Sequence, residues 1–261
     1  GPSGLRPPPV CGQPLLLSMK VHVLTLGCSK NLVDSEHLMA QFKAAGHSVF
    51  HDRPGSESDL LIINTCGFIL DAKQESIDTI LEYSEEKKRG HIGKFFVMGC
   101  LSERYREELI RELPEVDAFF GVWELREILE AAGERWDPEL GTGRVVTTPS
   151  HYAYLKVAEG CNRSCSFCAI PGIRGVQRSV AMPELIEESR ILASRGVREL
   201  ILVAQDLTAY GTDLYRRRAL PGLLKELVKV DGIDWIRLHY AFPHGFPEEV
   251  IELMAAEEKI C

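Results

Sequence analysis

The sequence predicts an α/β protein of two units, an amino-terminal doubly wound parallel sheet followed by an incomplete series of β/α repeats. Short apolar runs rich in β-branched residues alternate with longer stretches in which apolar residues recur at helical spacing. The short runs are apolar throughout, as expected for strands covered by helices on both faces of a sheet. A segment rich in glycine, proline and threonine, 136–150, separates the two series.

The first unit spans residues 19–135 and shows four strand–helix alternations. Predicted strands cover 21–26, 60–65, 94–98 and 118–121. Predicted helices cover 31–45, the stretch around 69–81, 103–113 and 124–132. Gly46 follows the first helix and Pro114 follows the third, and both residues are typical of helix ends. Four such units predict a small doubly wound parallel sheet.

The second unit spans residues 151–261 and shows three further alternations. Predicted strands cover 154–158, 199–203 and 235–240, and predicted helices cover 183–194, 220–230 and 247–256. Three β/α units are too few to close a barrel of six or eight strands. We therefore expect a partial barrel whose remainder lies outside these residues. Because an open half-barrel exposes strand edges, we also expect the chain alone to be inactive or poorly stable.

Composition and charge limit the classes of protein to which the chain can belong and the compartment in which we expect it. Residues 1–18, which include Cys11, are expected to be a disordered leader or a cloning remnant, since their three consecutive leucines are too few for a signal-peptide core. No apolar run approaches the ~18–20 residues of a membrane helix. With 38 acidic against 30 basic residues, the chain lacks the positive charge that grips nucleic acid. We expect a cytoplasmic protein without membrane contacts and with no nucleic acid bound by these residues.

The eight cysteines admit three interpretations: four disulfides, a set of metal ligands, or scattered buried thiols. Disulfide scaffolds are typically short, secreted and poor in regular structure. This chain is long and rich in predicted helix. The cysteines of the two units are therefore best considered as metal ligands or core residues, and Cys11 and Cys261 are given no role.

Three cysteines lie close together in the loop after the first strand of the second unit. Cys161, Cys165 and Cys168 form a C-x3-C-x2-C motif. Thiolates suit both iron–sulfur clusters and zinc, but structural zinc normally takes four protein ligands, and no fourth Cys or His lies nearby in the sequence. Three thiolates on a four-iron cluster leave one iron open to a substrate or cofactor. The alternative is a loop of unliganded thiols.

Three other cysteines each follow the end of a predicted strand. Cys28, Cys66 and Cys100 come directly after VHVLTLG, LLIINT and KFFVMG. The carboxyl ends of parallel strands meet at one edge of a sheet, where doubly wound folds place their sites. We therefore predict a second cluster there. The alternative is that all three are small residues buried at strand ends.

These motifs resemble those of a known family. The C-x3-C-x2-C motif resembles that of radical S-adenosylmethionine (SAM) enzymes, and GCSKN at 27–31, NTCGFI at 64–69 and GCLSERY at 99–105 resemble the methylthiotransferase family. CSKNLVDSE, CSFCAIP and LVAQDLTAYGTDLY resemble the branch that modifies a ribosomal protein, whereas the tRNA-modifying branch usually reads GCQMN at the first motif. The resemblance extends from Met19 to the last residue.

The resemblance implies two [4Fe–4S] clusters and SAM as cofactors. Cys161, Cys165 and Cys168 would hold the cluster that binds SAM and cleaves it to a radical. Cys28, Cys66 and Cys100 would hold an auxiliary cluster that carries sulfur. The substrate would be an aspartyl residue of small-subunit ribosomal protein twelve, methylthiolated at its β-carbon. A flavodoxin- or ferredoxin-type protein would donate electrons, and no protein nucleophile or general base is required.

The remaining site residues implied by the resemblance are Phe167 against the adenine and Gln205 and Asp206 near the methionine end of SAM. Ordinary loop packing also explains Phe167. The chain departs from the family at Val180, where an arginine is usual, and Arg178 is the residue available to compensate. Two alternative functions stay open: methylthiolation of a tRNA adenosine, and a non-catalytic fragment that binds an iron–sulfur cluster or zinc.

Overall fold

The first unit is a five-stranded parallel sheet. The computed structural model describes residues 18–52 and 57–261, so Cys11 and the rest of 1–17 lie outside the described residues. The strands are β1 (Lys20–Thr25), β2 (Ser48–His51), β3 (Ser58–Thr65), β4 (Ile92–Gly99) and β5 (Ala118–Phe120). Their order in the sheet is β2-β1-β3-β4-β5. The apolar runs predict four of these strands but not β2, which is short, half polar and only partly buried.

Helices cover both faces of this sheet. They are α1 (Ser29–Ala44), α2 (Leu70–Lys88), α3 (Cys100–Glu112) and α4 (Leu125–Ala132). Residues of α1 and α4, such as Phe42 and Ile128, form one core with β-strand residues such as Ile62. Residues of α2 and α3, such as Ile80 and Leu101, form a separate core on the opposite face. This two-sided packing confirms the predicted doubly wound α/β class.

The second unit is built on a three-stranded parallel sheet in the order β10-β9-β6. Its elements are β6 (Tyr152–Lys156), β7 (Ala158–Glu159), α5 (Ile170–Arg174), β8 (Arg178–Ser179), α6 (Met182–Ser194), β9 (Glu199–Val203), α7 (Leu220–Leu227), β10 (Trp235–Leu238) and α8 (Glu248–Ala256). Ile260 forms a parallel bridge with Ile236, so the final residues pair along β10 as a further strand would. The parallel β/α arrangement agrees with the predicted partial barrel.

Three short elements of this unit were not predicted as separate elements. The short strands β7 and β8 pair antiparallel, and α5 lies between them in the chain. The loop that carries Cys161, Cys165 and Cys168 runs from β7 to α5. Because β7 and β8 contain only two residues each, no periodic pattern reveals them.

The segment predicted as a linker is fixed to both units. Within it, the Arg144 side chain is buried and lies 3.5 Å from Glu36 of α1 and 3.3 Å from Glu188 of α6. Thr147 donates hydrogen bonds to Glu36 from its backbone N–H and its hydroxyl. Among the described residues, no helix has the length and apolar character needed to cross a membrane.

Candidate functional site

A cavity of about 390 Å³ lies between the two units and is lined by all six cysteines of the predicted clusters. Cys28, Cys66 and Cys100, here called the strand-end trio, come from the first unit. Cys161, Cys165 and Cys168, here called the loop trio, come from the second. The structure therefore brings together in one place every thiol that the sequence singled out. Cys261 is exposed and is not among the residues that line this cavity.

The strand-end trio lies at the carboxyl edge of the first sheet. Cys28 precedes α1, Cys66 directly follows β3, and Cys100 is the first residue of α3. In a sheet of order 2-1-3-4-5, the chain reverses direction of winding between β1 and β3, which is where such folds bind ligands. Cys28 and Cys66 flank that point. Cys66 and Cys100 are only 8% and 4% exposed, so two of these thiols are nearly removed from solvent.

Glycine allows these strand ends to approach one another. Gly99, directly before Cys100, has a φ of 101°, and a Cβ there would lie 2.6 Å from the Thr65 carbonyl oxygen. Gly27, directly before Cys28, has a φ of 93°, and its Cβ would lie 2.6 Å from the Cβ of Cys66. A side chain at either position would force the strand ends apart.

The loop trio is held by backbone hydrogen bonds within its own loop. The Cys161 N–H donates to the Gly175 carbonyl at 3.0 Å, and the Cys168 N–H donates to the Cys165 carbonyl at 3.1 Å. The Gln177 N–H donates to the Asn162 side chain at 3.0 Å, which closes the loop onto β8. All three thiols are partly exposed.

Two buried asparagines join the strand ends to the trio. Asn31 donates to the carbonyls of Leu26 and Thr65, at 2.9 and 3.0 Å. Its Oδ1 lies 3.9 Å from the Sγ atoms of both Cys28 and Cys100. Asn64 donates to the Asn31 carbonyl at 2.9 Å. No role was predicted for these asparagines, although they lie in the motifs GCSKN and NTC; an amide close to Cys28 and another close to Cys66 was the available signal.

Arg174 connects the two units beside the thiols. Its side chain is 1% exposed, and its Nη1 lies 2.7 Å from Glu159. Its Nε donates to the Cys100 Sγ at 3.3 Å, and its Nη2 donates to the Asn31 side chain. Arg174 lies six residues after Cys168, so one guanidinium ties the segment that follows the loop trio to a thiol of the strand-end trio.

Four charged side chains, Arg174 included, form a largely buried network of ion pairs. Lys156 forms ion pairs with Asp34 and with Glu159, and Arg174 pairs with the same two acids. Burial alone would raise the pKa of Glu159, but Lys156 and Arg174 outweigh it and hold that pKa at about 2. Burial raises the pKa of Asp34, and Lys156 offsets only part of this. Two cations and two anions thus leave this network nearly neutral.

The thiol of Cys100 is protonated at neutral pH when no metal is bound. Burial raises its pKa to about 11, although the Arg174 guanidinium acts in the opposite direction. Thiolates, not thiols, bind metals, so loading of this trio must release a proton from Cys100.

The residues predicted to contact SAM occupy different environments. Gln205 lines the cavity and donates to Glu159 at 3.0 Å, and its buried Oε1 has no hydrogen-bond partner among the described residues. Asp206 also lines the cavity, but one of its oxygens accepts from Arg163 and the other from Thr208. Phe167 is 89% exposed. The contacts of these three residues with SAM stay predictions.

Val180 packs against the core of the second unit, and its carbonyl accepts a hydrogen bond from the Tyr210 hydroxyl at 2.9 Å. Arg178 lies over the Trp123 ring, 4.6 Å from its centroid, against the first unit. The side chain suggested to compensate for the missing family arginine is therefore engaged elsewhere, and it is absent from the residues that line the cavity.

Two cation–aromatic pairs that line the cavity were not predicted from the sequence. The Lys30 ammonium lies 4.1 Å from the centroid of Tyr240, and the Arg163 guanidinium lies 3.7 Å from that of Phe242. Burial lowers the pKa of Lys30, while neighbouring Cys28 acts in the opposite direction. Both aromatic residues follow β10, where the sequence offers no motif. Lys30 lies inside the quoted motif GCSKN.

The donor set of each trio fits an iron–sulfur cluster with one open iron, because three cysteines of each unit, and no fourth among the described residues, line the cavity. Nowhere in the described ranges are three or more His, Cys, Asp or Glu side chains arranged to hold a metal ion. The assignment of the trios as cluster ligands accordingly stays a prediction that rests on the shared cavity.

Family comparisons match both units separately. Residues 20–121 match the family described as "Uncharacterized protein family UPF0004", and residues 155–259 match the "Radical SAM superfamily". Among solved structures, the radical S-adenosylmethionine methyltransferase TsrM from Kitasatospora setae covers 94% of this chain and 60% of its own, with a TM-score of 0.62 at 15% identity. The cobalamin-dependent radical enzyme OxsB covers 85% of this chain and 38% of its own, with a TM-score of 0.54 at 10% identity. The class is that of a radical SAM protein with an additional thiol-bearing α/β unit.

Curated relatives narrow the assignment of the chain to one family within this class. A protein of Flavobacterium psychrophilum named "Ribosomal protein uS12 methylthiotransferase RimO" is 57% identical over 93% of this chain. A protein of Bacteroides thetaiotaomicron with the same name is 50% identical over 93%. This chain belongs to the radical SAM methylthiotransferase family, as the cysteine motifs predicted. It spans about half the length of these relatives, 55% and 56% respectively.

Proposed function

We propose that this chain carries the two cluster sites of a methylthiotransferase that modifies the β-carbon of an aspartyl residue in ribosomal protein uS12. The observation that carries the proposal is the single cavity lined by both cysteine trios. A sulfur source and a radical source must act on the same carbon, so their two sites must face one space. The relatives named for uS12 methylthiotransfer support the choice of substrate.

The cofactors of the proposed enzyme are SAM and two [4Fe–4S] clusters. The loop trio would hold the cluster that binds SAM, with Gln205 beside it, and the strand-end trio would hold the auxiliary cluster. When bound, these groups supply a carbon-centred radical that breaks an unactivated C–H bond and the sulfur that replaces the hydrogen. An external flavodoxin- or ferredoxin-type protein supplies the electrons.

The chain's own residues position and shield the two sites. Arg174 and Asn31 fix Cys100 and Cys28 relative to the second unit through buried hydrogen bonds. Apolar side chains that include Ile170 and Phe242 form part of the cavity wall and limit access of water. Exclusion of water protects reactive intermediates from side reactions.

Activity is tested with the full-length gene product, reconstituted anaerobically and reduced with dithionite. It is given SAM and either uS12 or a tRNA anticodon stem-loop, and both substrates are weighed by mass spectrometry. We expect uS12 to gain one methylthio group in place of one hydrogen and the RNA to be unchanged. Modification of the RNA alone would contradict the proposed substrate and favour the tRNA branch.

Two alanine variants separate the roles of the trios in the same assay. Cys161→Ala should abolish cleavage of SAM, because the loop trio can no longer hold its cluster. Cys28→Ala should retain cleavage of SAM but lose transfer of sulfur to uS12. Wild-type protein that binds one zinc and cleaves no SAM would support the non-catalytic alternative instead.

A further inference from the structure

Three cations of the described residues line the cavity, and one of them forms no ion pair with a described carboxylate. Arg163 lies 2.7 Å from Asp206, and Arg174 lies 2.7 Å from Glu159. Lys30 lines the same cavity and is 7% exposed, but it forms no ion pair with any carboxylate of residues 18–52 or 57–261. A nearly buried ammonium thus lines the cavity with no carboxylate of the described residues in ion-pair contact.

The position of Lys30 is unfavourable for the fold. It is the second residue of α1, whose first turn contains no acidic residue. The amino-terminal end of a helix carries partial positive charge and favours anions over cations. Burial of an ammonium without a counter-ion adds a desolvation cost. Proteins tolerate such conflicts mainly at functional sites.

The aromatic partner of Lys30 is also strained. Tyr240 has a φ of 65°, in the left-handed region that residues other than glycine seldom adopt. Its carbonyl accepts a hydrogen bond from the Leu207 N–H at 3.1 Å, which helps to hold this conformation. Strain of this kind persists where the surrounding structure imposes it, often at binding sites. The Tyr240 ring orients the Lys30 ammonium without neutralising it.

We propose that the Lys30 ammonium binds the side-chain carboxylate of the aspartyl residue that is modified. This inference rests on the proposed function and identifies the residue that selects its substrate. Lys30 lies two residues after Cys28, so a carboxylate bound there lies beside the strand-end trio. The β-carbon of aspartate is bonded directly to that carboxyl carbon. Anchoring the carboxylate therefore places the reacting carbon next to the source of sulfur.

The carboxylate of SAM has the same chemistry as that of an aspartyl side chain, and the test separates the two. The full-length, cluster-loaded protein is titrated with a fluorescent uS12 peptide that contains the aspartyl residue and with the same peptide carrying asparagine. We expect the aspartyl peptide to bind at least about tenfold more tightly, as is reasonable for a charge-assisted contact in a buried site. Affinity for SAM is measured in parallel.

Three variants test whether Lys30 is the residue that distinguishes the two peptides. Lys30→Met should bind both peptides equally weakly, whereas Lys30→Arg should retain most of the discrimination because it keeps the charge. Lys73→Met is the matched control, since Lys73 also lies over a tyrosine ring, 4.0 Å from Tyr105, but does not line the cavity. It should bind as wild type does.

Thermal unfolding shows whether the variants are folded. Lys30→Met should melt at or above the wild-type temperature, because it removes a buried charge that forms no ion pair with a carboxylate of the described residues. Equal binding of the two peptides by wild type, or undiminished discrimination by Lys30→Met, would overturn the inference. Loss of SAM affinity with peptide discrimination intact would also overturn it and assign Lys30 to SAM. Peptide binding is measured without turnover, so failure of methylthiolation alone counts against the proposed function and not against Lys30.

Discussion

Three of the cavity cysteines lie at the ends of three separate strands, whereas the other three follow one another within eight residues of a single loop. The strand-end trio spans the chain from Cys28 to Cys100, yet the sheet fixes its members and buries two of them. The loop trio is local in sequence but partly exposed, and it is held mainly by hydrogen bonds within its own loop. The first site is ordered by the fold itself. The second is ordered by local hydrogen bonds, and Arg174, six residues after Cys168, ties the segment that follows it to the first unit.

Loss of Arg174 should produce the largest effect, because it joins the two regions. Arg174→Met removes a buried cation and leaves Glu159 and Asp34 with only Lys156 as a counter-charge. We expect the free energy of unfolding, measured with urea, to fall by about 3–5 kcal/mol. Arg178→Met is the control: its guanidinium lies over Trp123 at the exterior, so it should cost no more than about 1 kcal/mol. Equal losses in the two variants would show that the buried network does not join the units.

Substitution of Gly99 tests how strictly the sheet positions the strand-end trio. Gly99→Ala places a Cβ 2.6 Å from the Thr65 carbonyl oxygen, at a φ of 101°. Gly90→Ala introduces alanine at a similar φ of 83° but meets no atom within 4 Å. We expect Gly99→Ala to lower the free energy of unfolding by about 1–3 kcal/mol more than Gly90→Ala does.

Both variants place alanine at a positive φ, so the difference between their losses of stability reports the close approach of the strand ends. Gly99→Ala should also bind less iron at the strand-end trio after reconstitution, while the loop trio loads normally. If both variants lost the same stability and bound the same iron, the close packing of β3 against β4 would not be what positions Cys100.

Acid should weaken the first unit through His37 of α1. Burial, helped by Arg144 and Lys156, lowers the pKa of His37 to about 3. The unfolded chain binds a proton at His37 near pH 6.5, whereas the folded chain does not. The free energy of unfolding should therefore fall by up to about 1.4 kcal/mol for each pH unit below 6.5.

His37→Gln should reduce this pH dependence of stability between pH 6.5 and 5. The difference in the free energy of unfolding between the two proteins, measured with urea at each pH, reports this group alone. Parallel curves for wild type and His37→Gln would contradict the prediction.

The sequence predicted the parts of the molecule that depend on regular patterns. Apolar runs and helical spacing identified most strands and helices, and their order placed Cys28, Cys66 and Cys100 at one sheet edge. The pairs between the units were not predictable in this way. Lys156 meets Asp34 across 122 residues of chain, and Arg174 meets Asn31 across 143. Such contacts depend on how the two units pack, which no local pattern encodes. The contact between Lys30 and Tyr240 was not predictable either, because Tyr240 lies in an irregular segment.

The most direct test of two cluster sites on one cavity is iron and acid-labile sulfide analysis of the anaerobically reconstituted protein. Wild type should hold about eight of each per chain, as two four-iron clusters require. The triple variants Cys28→Ala/Cys66→Ala/Cys100→Ala and Cys161→Ala/Cys165→Ala/Cys168→Ala should each retain about half. Wild type that binds only about four irons, or a triple variant that loses none, would contradict the assignment of one cluster to each trio.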